Sequence, residues 1–393
     1  MLNERRMNRN AKIIALFIMQ YSFLIPVMQF INSTIVVGVF SMLLLTVLLF
    51  TNNLGSVNWR ILAFYSLLVL LFAIKFFLGE ATVSSIGFVV LFTLPAVCLM
   101  LFPFDYSVCI DCLVSISRIS FCLICLIPFF FDYNYMRFGY GILPIVIMMY
   151  IDLVYRREKN GKKTKDLFRM IDIGILVIGF AEMLLYGARG CLVALIIFVA
   201  MDRILINKTH IIRNSILFLL VIIIILNIVP ILDTVEKIAE NLGIYSYSIT
   251  KFKMQLAGGF EYAASGRVSI YNQSLERIQA HPFFGGMIDM DESGGDYAHN
   301  LFLQTAEDFG IPAMIILVLF IVYILIVIGQ KRGTITEKSL LMLLFSMSIG
   351  RLLFSSTLWR RPEFWMLVCM IIALRKNRIK NENMSLLGLI DMK

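Results

Sequence analysis

Long apolar runs separated by short polar segments make up most of the chain. Runs of about 18 residues or longer recur, and each is long enough to cross a bilayer core of ~30 Å as a helix. The pattern predicts an all-α polytopic membrane protein with about 12 transmembrane helices. The predicted spans are 12–31, 35–51, 61–78, 84–103, 107–130, 140–155, 170–186, 190–206, 215–232, 311–329, 339–356 and 363–375.

The composition and the placement of charge support this interpretation. The chain is 60% hydrophobic and only 16% charged, which is too apolar for a soluble protein of 393 residues. Its net charge of +9 comes mostly from lysines and arginines on alternate connecting segments, above all the run 155–169. Because basic residues resist translocation, these segments and both termini are predicted to be cytoplasmic. Charge distributed in this way argues against a nucleic-acid partner.

One polar stretch, residues 233–310, is long enough to fold, and the topology places it outside the cytoplasm. Three segments in it are typical of short amphipathic helices, starting near Asp233, Ile249 and Ser265, and a further helix is predicted from His299 to Phe309. The predicted organisation is a bundle over 1–232, an extracytoplasmic helical loop over 233–310, and the last three spans with a cytoplasmic tail over 311–393.

Arg189 lies in the sequence YGARG, which interrupts an apolar region at the predicted outer start of a span. A helix N-terminus offers free N–H groups and a partial positive charge that favour anions. A guanidinium there can hold a phosphate through two hydrogen bonds. Gly187 and Gly190 would let a ligand approach the backbone. The alternative is an arginine that extends to the lipid headgroups.

The outer loop contains further candidates. Arg267 follows a glycine, and His281 precedes Pro282 in a segment that suggests a role in shaping the loop. His299 lies at the predicted start of a helix leading back to the membrane, and a histidine can take a proton from a hydroxyl near neutral pH. Nearby carboxylates are rival bases or partners for it: Asp289, Asp291, Glu292 and Asp296.

Other features favour structural explanations. Two C-x-x-C pairs lie inside one predicted span, where Cys112 and Cys122 would be roughly 15 Å apart along a helix, too far to share a zinc ion. Asp111 and Arg118 share a face of that span and are expected to pair with other helices, although Arg118, like Arg351, is also a candidate for lining a groove. The phosphate-binding glycine loop of ATPases, the H-E-x-x-H motif and the G-x-S-x-G motif are absent from the sequence.

The combination of YGARG, SGR, HPFFGG and AHNLFLQTAEDFGIP in a polytopic chain resembles the O-antigen polymerase/ligase superfamily. In that family a small–Arg–Gly element starts a span, a large extracytoplasmic loop follows, and H-P and H-N elements stand near its end. The matching segments here are 188–190, 281–285 and 299–304. The resemblance covers roughly residues 170–330. The family often has serine before the arginine, where this chain has Ala188.

The resemblance implies a GT-C-like glycosyltransferase that needs no cofactor or metal. Its donor would be a glycan on undecaprenyl diphosphate, and an acceptor hydroxyl would attack the anomeric carbon with inversion. Arg189 and Arg267 would then bind the diphosphate and His299 would be the general base. His281, Asn300 and Gly190 would support the site.

The implied function is polymerisation of lipid-linked repeat units at the outer face of the bacterial cytoplasmic membrane, for an O-antigen, capsule or exopolysaccharide. The implied partners are donor, acceptor and bilayer, with a flippase and a chain-length regulator of the same pathway as further candidates. Ligase-type transfer to another acceptor uses the same donor and stays open. A transporter of lipid-linked glycan or anions, or an inactive structural partner, is the rival from another class. A transporter favours related halves with broken helices, and the sequence shows no such repeat.

Overall fold

The structure is a computed structural model that describes residues 2–31, 33, 35–52, 54–131, 133–155, 166–207, 227–241, 247–257, 267–286, 288, 298–330 and 333–374. In these ranges the chain is mostly helical, as the sequence predicts. An isolated parallel bridge joins Ala81 to Ile288. The segments 156–165, 208–226, 289–297 and 375–393, which include most of the predicted basic loop and most of the predicted span 215–232, lie outside the described residues.

The first part of the chain forms α1 (Leu2–Ile31), α2 (Ile35–Thr51), α3 (Trp59–Phe77), α4 (Val83–Phe88), α5 (Leu94–Leu99), α6 (Tyr106–Ile124), α7 (Ile127–Phe130) and α8 (Tyr135–Tyr155). A π-helical turn, Val89–Thr93, joins α4 to α5. The second part forms α9 (Asp166–Tyr186), α10 (Arg189–Met201), α11 (Ile228–Asn241), α12 (Tyr247–Ala257), α13 (Arg267–Ala280), α14 (Leu301–Phe309), α15 (Ile311–Gly329), α16 (Ile335–Leu352) and α17 (Pro362–Leu374).

The predicted spans that fall on described residues are helical, with shifted edges. Among those residues, five helices are long and apolar enough to cross a membrane: Asn3–Ile31, Trp59–Phe77, Tyr106–Phe130, Tyr135–Tyr155 and Ile311–Gly329. Three shorter apolar helices are Ile35–Thr51, Ser85–Leu99 and Pro362–Leu374. The described end of the predicted span 215–232 belongs to α11, which continues to Asn241. The number of about 12 spans stays a prediction.

The centre of the bundle is built from α1, α6, α8, α10 and α16. α1 packs on α6 and α8, and α10 packs on α16 and α8. Residues 339–350 of α16 are all buried. A Cβ built on Gly350 would lie 2.4 Å from the Cβ of Ala194, so α16 and α10 approach at a distance that only glycine allows.

Arg118 pairs with two other helices, as predicted. Its Nε and Nη2 donate to the two carboxylate oxygens of Asp172 at 2.7 and 2.8 Å, and Nη2 also donates to Asp152 at 3.2 Å. A bidentate pair of this kind compensates the cost of burying the charges between α6, α8 and α9. Arg118 therefore has a structural role, and the groove-lining alternative for it loses its support.

The segments predicted to lie outside the cytoplasm gather at one end of the bundle. Lys75, at the end of α3, donates to the backbone carbonyls of Phe284 and Gly286 at 2.9 and 2.8 Å. The backbone N–H of Ile288 donates to the carbonyl of Glu80 at 2.6 Å. The end of the loop is thus fastened to α3 and to the connection after it, which the predicted topology places on the same side of the membrane.

The helices expected in the outer loop are confirmed as α11, α12 and α13. Ion pairs link α11 and α12. The Nζ of Lys253 in α12 lies 2.5 Å from a carboxylate oxygen of Asp233 and 2.6 Å from one of Glu236, both in α11. α13 ends at Ala280, two residues before the proline expected to stop it. Gly310 ends α14 with a φ of 86°, and Pro312 stands in the first turn of α15, both as expected.

Candidate functional site

Arg189 is the first residue of α10, with Ala188 as the N-cap residue. The turn before it is pressed against α8: a Cβ on Gly139 would lie 2.7 Å from the backbone nitrogen of Ala188 and 3.0 Å from the Cα of Gly187. This backbone-to-backbone contact fixes where α10 begins. Arg189 keeps part of its surface accessible, and the free N–H groups of α10 lie beside it.

Gly190 is required by packing. A Cβ on Gly190 would lie 2.2 Å from the hydroxyl oxygen of Tyr140 and 3.5 Å from the Cβ of Phe354. The sequence suggested that this glycine lets a ligand approach the backbone, whereas in the structure Tyr140 occupies that position. Gly190 lets α10 approach α8 and the segment after α16.

Arg267, in the outer loop, contacts Phe354, the residue that also lies next to Gly190. It is the first residue of α13, and its Nη1 donates to the backbone carbonyl of Phe354 at 2.6 Å. Phe354 belongs to residues 353–361, here called the outer strap, which joins α16 to α17. Because Phe354 contacts both Gly190 and Arg267, the outer strap brings the start of α10 and the start of α13 together.

His299 lies within electrostatic reach of Arg267. Its backbone has a φ of 48°, and the next residue, Asn300, is the N-cap of α14. The Asn300 side chain accepts hydrogen bonds from the N–H groups of Phe302 and Leu303 at 3.0 and 3.3 Å. The expectation that His299 itself begins the helix is wrong by two residues, because Asn300 is the better cap. This capping fixes where α14 begins.

Burial lowers the pKa of His299 to about 4, and the positive charge of Arg267 adds to the effect. Burial is the larger of the two causes, because it disfavours the charged imidazolium. The imidazole is therefore neutral at physiological pH and able to accept a proton. The rival bases Asp289, Asp291, Glu292 and Asp296 lie outside the described residues.

His281 is exposed, and the segment that it begins has a clear structural task. The N–H of Gly286 donates to the carbonyl of Glu307 at 2.8 Å, and the N–H of Ile311 donates to that of Pro282 at 2.8 Å. A Cβ on Gly285, whose φ is 69°, would lie 2.4 Å from the backbone of α14. The segment 281–286 thus holds the end of α14 through backbone hydrogen bonds and close packing. His281 is the first residue of this segment.

Two groups of residues escaped the sequence analysis. Glu307 and Asp308 of α14 are buried, and Glu307 pairs with Arg277 at 2.5 Å. On the outer strap, Arg360 lies over the ring of Phe88 at 3.9 Å, and the Nε of Arg361 donates to the Oγ of Ser356 at 2.7 Å. The sequence did contain a signal for the second group: Arg360 and Arg361 are adjacent, lie on the predicted outer side and directly precede Pro362, which begins α17.

Comparison with known families finds a match for the part of the chain that contains most of this site. Residues 174–318 match the Wzy_C family model, described as O-Antigen ligase. The matched range includes the second half of α9, all of α10, α13 and α14, and His299. No curated protein and no solved structure matches the chain.

Proposed function

The chain carries an O-antigen polymerase/ligase superfamily domain over residues 174–318, and from this premise we propose that it is a polysaccharide repeat-unit polymerase. It joins oligosaccharides carried on undecaprenyl diphosphate at the outer face of the cytoplasmic membrane. We include in the proposal a GT-C-like bundle of about 12 spans, the division at 232/233 and 310/311, and cytoplasmic termini.

One observation carries the proposal: the outer strap links the start of α10 to Arg267, and Arg267 lies within electrostatic reach of His299. Arg267 bonds to Phe354, Phe354 lies against Gly190, and the charge of Arg267 acts on His299. Cationic groups thus lie next to a neutral base, which is the combination that glycosyl transfer from a lipid diphosphate needs.

The proposed step is an inverting displacement. The acceptor hydroxyl attacks the anomeric carbon of the donor as His299 takes the hydroxyl proton. The bond between the anomeric carbon and the diphosphate oxygen breaks, and the electron pair leaves with the lipid diphosphate. Arg189, Arg267 and the N-terminus of α10 stabilise the charge that develops on the leaving group. Positive groups and a base suffice for this chemistry, so the proposal includes no metal or other cofactor.

Ligase-type transfer remains the second candidate, because the family description names a ligase. Both activities use the same donor and differ only in the acceptor. The flippase that delivers the donor and a chain-length regulator are the proposed partners in the same pathway, and the bilayer holds the substrates' prenyl chains.

Extension of lipid-linked repeat units by the purified full-length protein tests the proposal. Lipid-linked oligosaccharides extracted from the source membranes should yield a ladder of products, and His299→Ala should leave only a trace of polymer. A positioned base contributes about 10²–10⁴-fold. Single transfer to an added lipid A-core acceptor without a ladder would favour the ligase. Movement of intact lipid-linked glycan across proteoliposomes without new glycosidic bonds would replace both with a transporter.

A further inference from the structure

A second cationic pocket lies at the end of the outer strap that leads into α17. It has a volume of about 100 Å³ and is enclosed by α1, α2, α4, the π-helical turn and the start of α17. Arg360 and Arg361 line it, together with the polar side chains of Gln20 and Tyr21. None of these residues belongs to the site formed by Arg189, Arg267 and His299.

Positive charge dominates this pocket. Arg361 lies within electrostatic reach of Arg351, whose guanidinium stands over the rings of Tyr140 and Tyr21 at 4.2 and 5.2 Å. Burial and the neighbouring Arg351 lower the pKa of Arg361 to about 10, so Arg361 is still charged at neutral pH. Two arginines and one glutamate, Glu363, line the pocket, and Arg351 behind them adds a further positive charge.

Two features of the backbone reinforce the charge. Pro362 begins α17, so the free N–H groups and the positive end of this helix face the same region as Arg360 and Arg361. The buried Trp359 holds the arginines in place: its ring stacks on Trp365 at 5.4 Å, and its carbonyl accepts a hydrogen bond from Thr93 at 3.2 Å. The arginines are therefore positioned before any ligand arrives.

The remaining wall of the pocket is apolar. Val37, Phe88 and Phe92 line it; Phe88 directly precedes the π-helical turn, and Phe92 lies within that turn. Turns of this kind are frequent at functional sites. A cationic pocket with an apolar wall in a membrane bundle fits the phosphate headgroup of a lipid better than a water-soluble phosphate.

We propose that this pocket binds the diphosphate headgroup of a second polyprenyl-linked oligosaccharide, the acceptor, next to the donor site. The inference rests on the proposed polymerase function and deepens it. Tyr140 forms the partition, because its ring lies under Arg351 and its hydroxyl contacts the start of α10. A polymerase handles two lipid diphosphates at once, and two anion sites at the two ends of the outer strap meet that need.

Binding stoichiometry tests this proposal without relying on turnover. Farnesyl diphosphate serves as a short polyprenyl diphosphate probe, added to the purified full-length protein in detergent and followed by native mass spectrometry or calorimetry. The unaltered protein should bind two equivalents. Arg361→Gln should weaken one of them at least about tenfold, as expected for losing a hydrogen bond to a charged group. Arg189→Ala should weaken the other.

Two further variants separate binding from folding. Arg360→Gln leaves the bond between Arg361 and Ser356 in place, and it too should weaken the second equivalent. Arg137→Gln, at the start of α8 and away from the lining of the pocket, should leave both equivalents unchanged. Farnesol should not bind at this site, and inorganic diphosphate should bind more weakly than farnesyl diphosphate.

A single equivalent in the unaltered protein would overturn the proposal, as would two equivalents that neither Arg360→Gln nor Arg361→Gln weakens. Inorganic diphosphate that binds as tightly as the prenyl probe would overturn the assignment to a lipid. Failure of the polymerase proposal is distinguishable from these outcomes: two equivalents would still bind with the predicted sensitivities, but no glycan ladder would form.

Discussion

At the scale of single residues, Tyr140 explains more of the site than any residue singled out from the sequence. Its hydroxyl occupies the space beside Gly190, and its ring supports Arg351. Both contacts join helices that are distant in sequence, α8 with α10 and with α16. The tyrosine therefore fixes the spacing between the start of α10 and Arg351.

Arg189→Lys is expected to reduce polymer formation at least about tenfold. An ammonium group is a point charge and cannot reproduce the two parallel hydrogen bonds of a guanidinium on a phosphate. Polymer length and amount in cells, normalised to protein abundance, measure the effect, with Arg137→Lys as the matched control. Polymer of full length from a normal amount of the Arg189→Lys protein would remove Arg189 from the donor site.

The pH dependence of kcat/KM should report the lowered pKa of His299. In the free protein the base is lost only as pH falls towards about 4, so the acid limb of the profile should lie well below 6.5, the ordinary histidine value. Arg267→Gln should move that limb to higher pH, because it removes a positive charge that disfavours protonation of His299. A limb near 6.5 that does not respond to Arg267→Gln would assign the profile to another group.

At the scale of elements, α14 is held at both ends by residue-specific contacts. Asn300 caps its start, and the segment 281–286 lies against its end. The end is the tighter contact, because a Cβ on Gly310 would lie 2.3 Å from the carbonyl oxygen of Phe283. Since His299 directly precedes α14, these contacts determine where the imidazole lies.

Gly310→Ala is accordingly expected to lower stability by more than about 1 kcal/mol, because a φ of 86° and the overlap with Phe283 both disfavour a side chain. Gly174→Ala is the control, since a Cβ there meets nothing within 4 Å in the middle of α9. Thermal unfolding of the two purified variants provides the comparison. Equal midpoints would show that α14 does not need this close contact.

At the scale of the whole molecule, the segments predicted to be extracytoplasmic lie at one end of the bundle. The connection after α3 bonds to residues 284–288, and the outer strap bonds to α13. Groups that hydrogen-bond directly cannot lie on opposite sides of a membrane. The relative placement of these segments therefore agrees with the predicted topology, whereas the side of the membrane on which they lie stays a prediction.

Cysteine labelling in intact cells tests on which side of the membrane these segments lie. In a background without the native cysteines, Gln273→Cys on α13 should react with an impermeant reagent, and Glu4→Cys near the start of α1 should react only after the membrane is opened. Both positions are exposed. Labelling with the opposite pattern would invert the topology and place the candidate site in the cytoplasm.

The sequence by itself determined the helical class, the edges of most elements and the residues Arg189, Arg267 and His299 as candidates. Hydropathy acts over about 20 consecutive residues, and proline, glycine and asparagine act within one turn, so these properties can be read locally. α2 over 35–51 and the helix stop at Gly310 are instances of this.

Only the tertiary structure decided how these residues meet. Arg267 reaches Phe354 across 87 positions of sequence, and Lys75 reaches Gly286 across 211. The same packing changed the interpretation of Gly190 from a ligand contact to a helix contact, and it gathered Arg351, Arg360 and Arg361 around a pocket. The physical reason is that side-chain convergence depends on which helices pack together, and their hydrophobic faces are too alike for sequence alone to specify that choice.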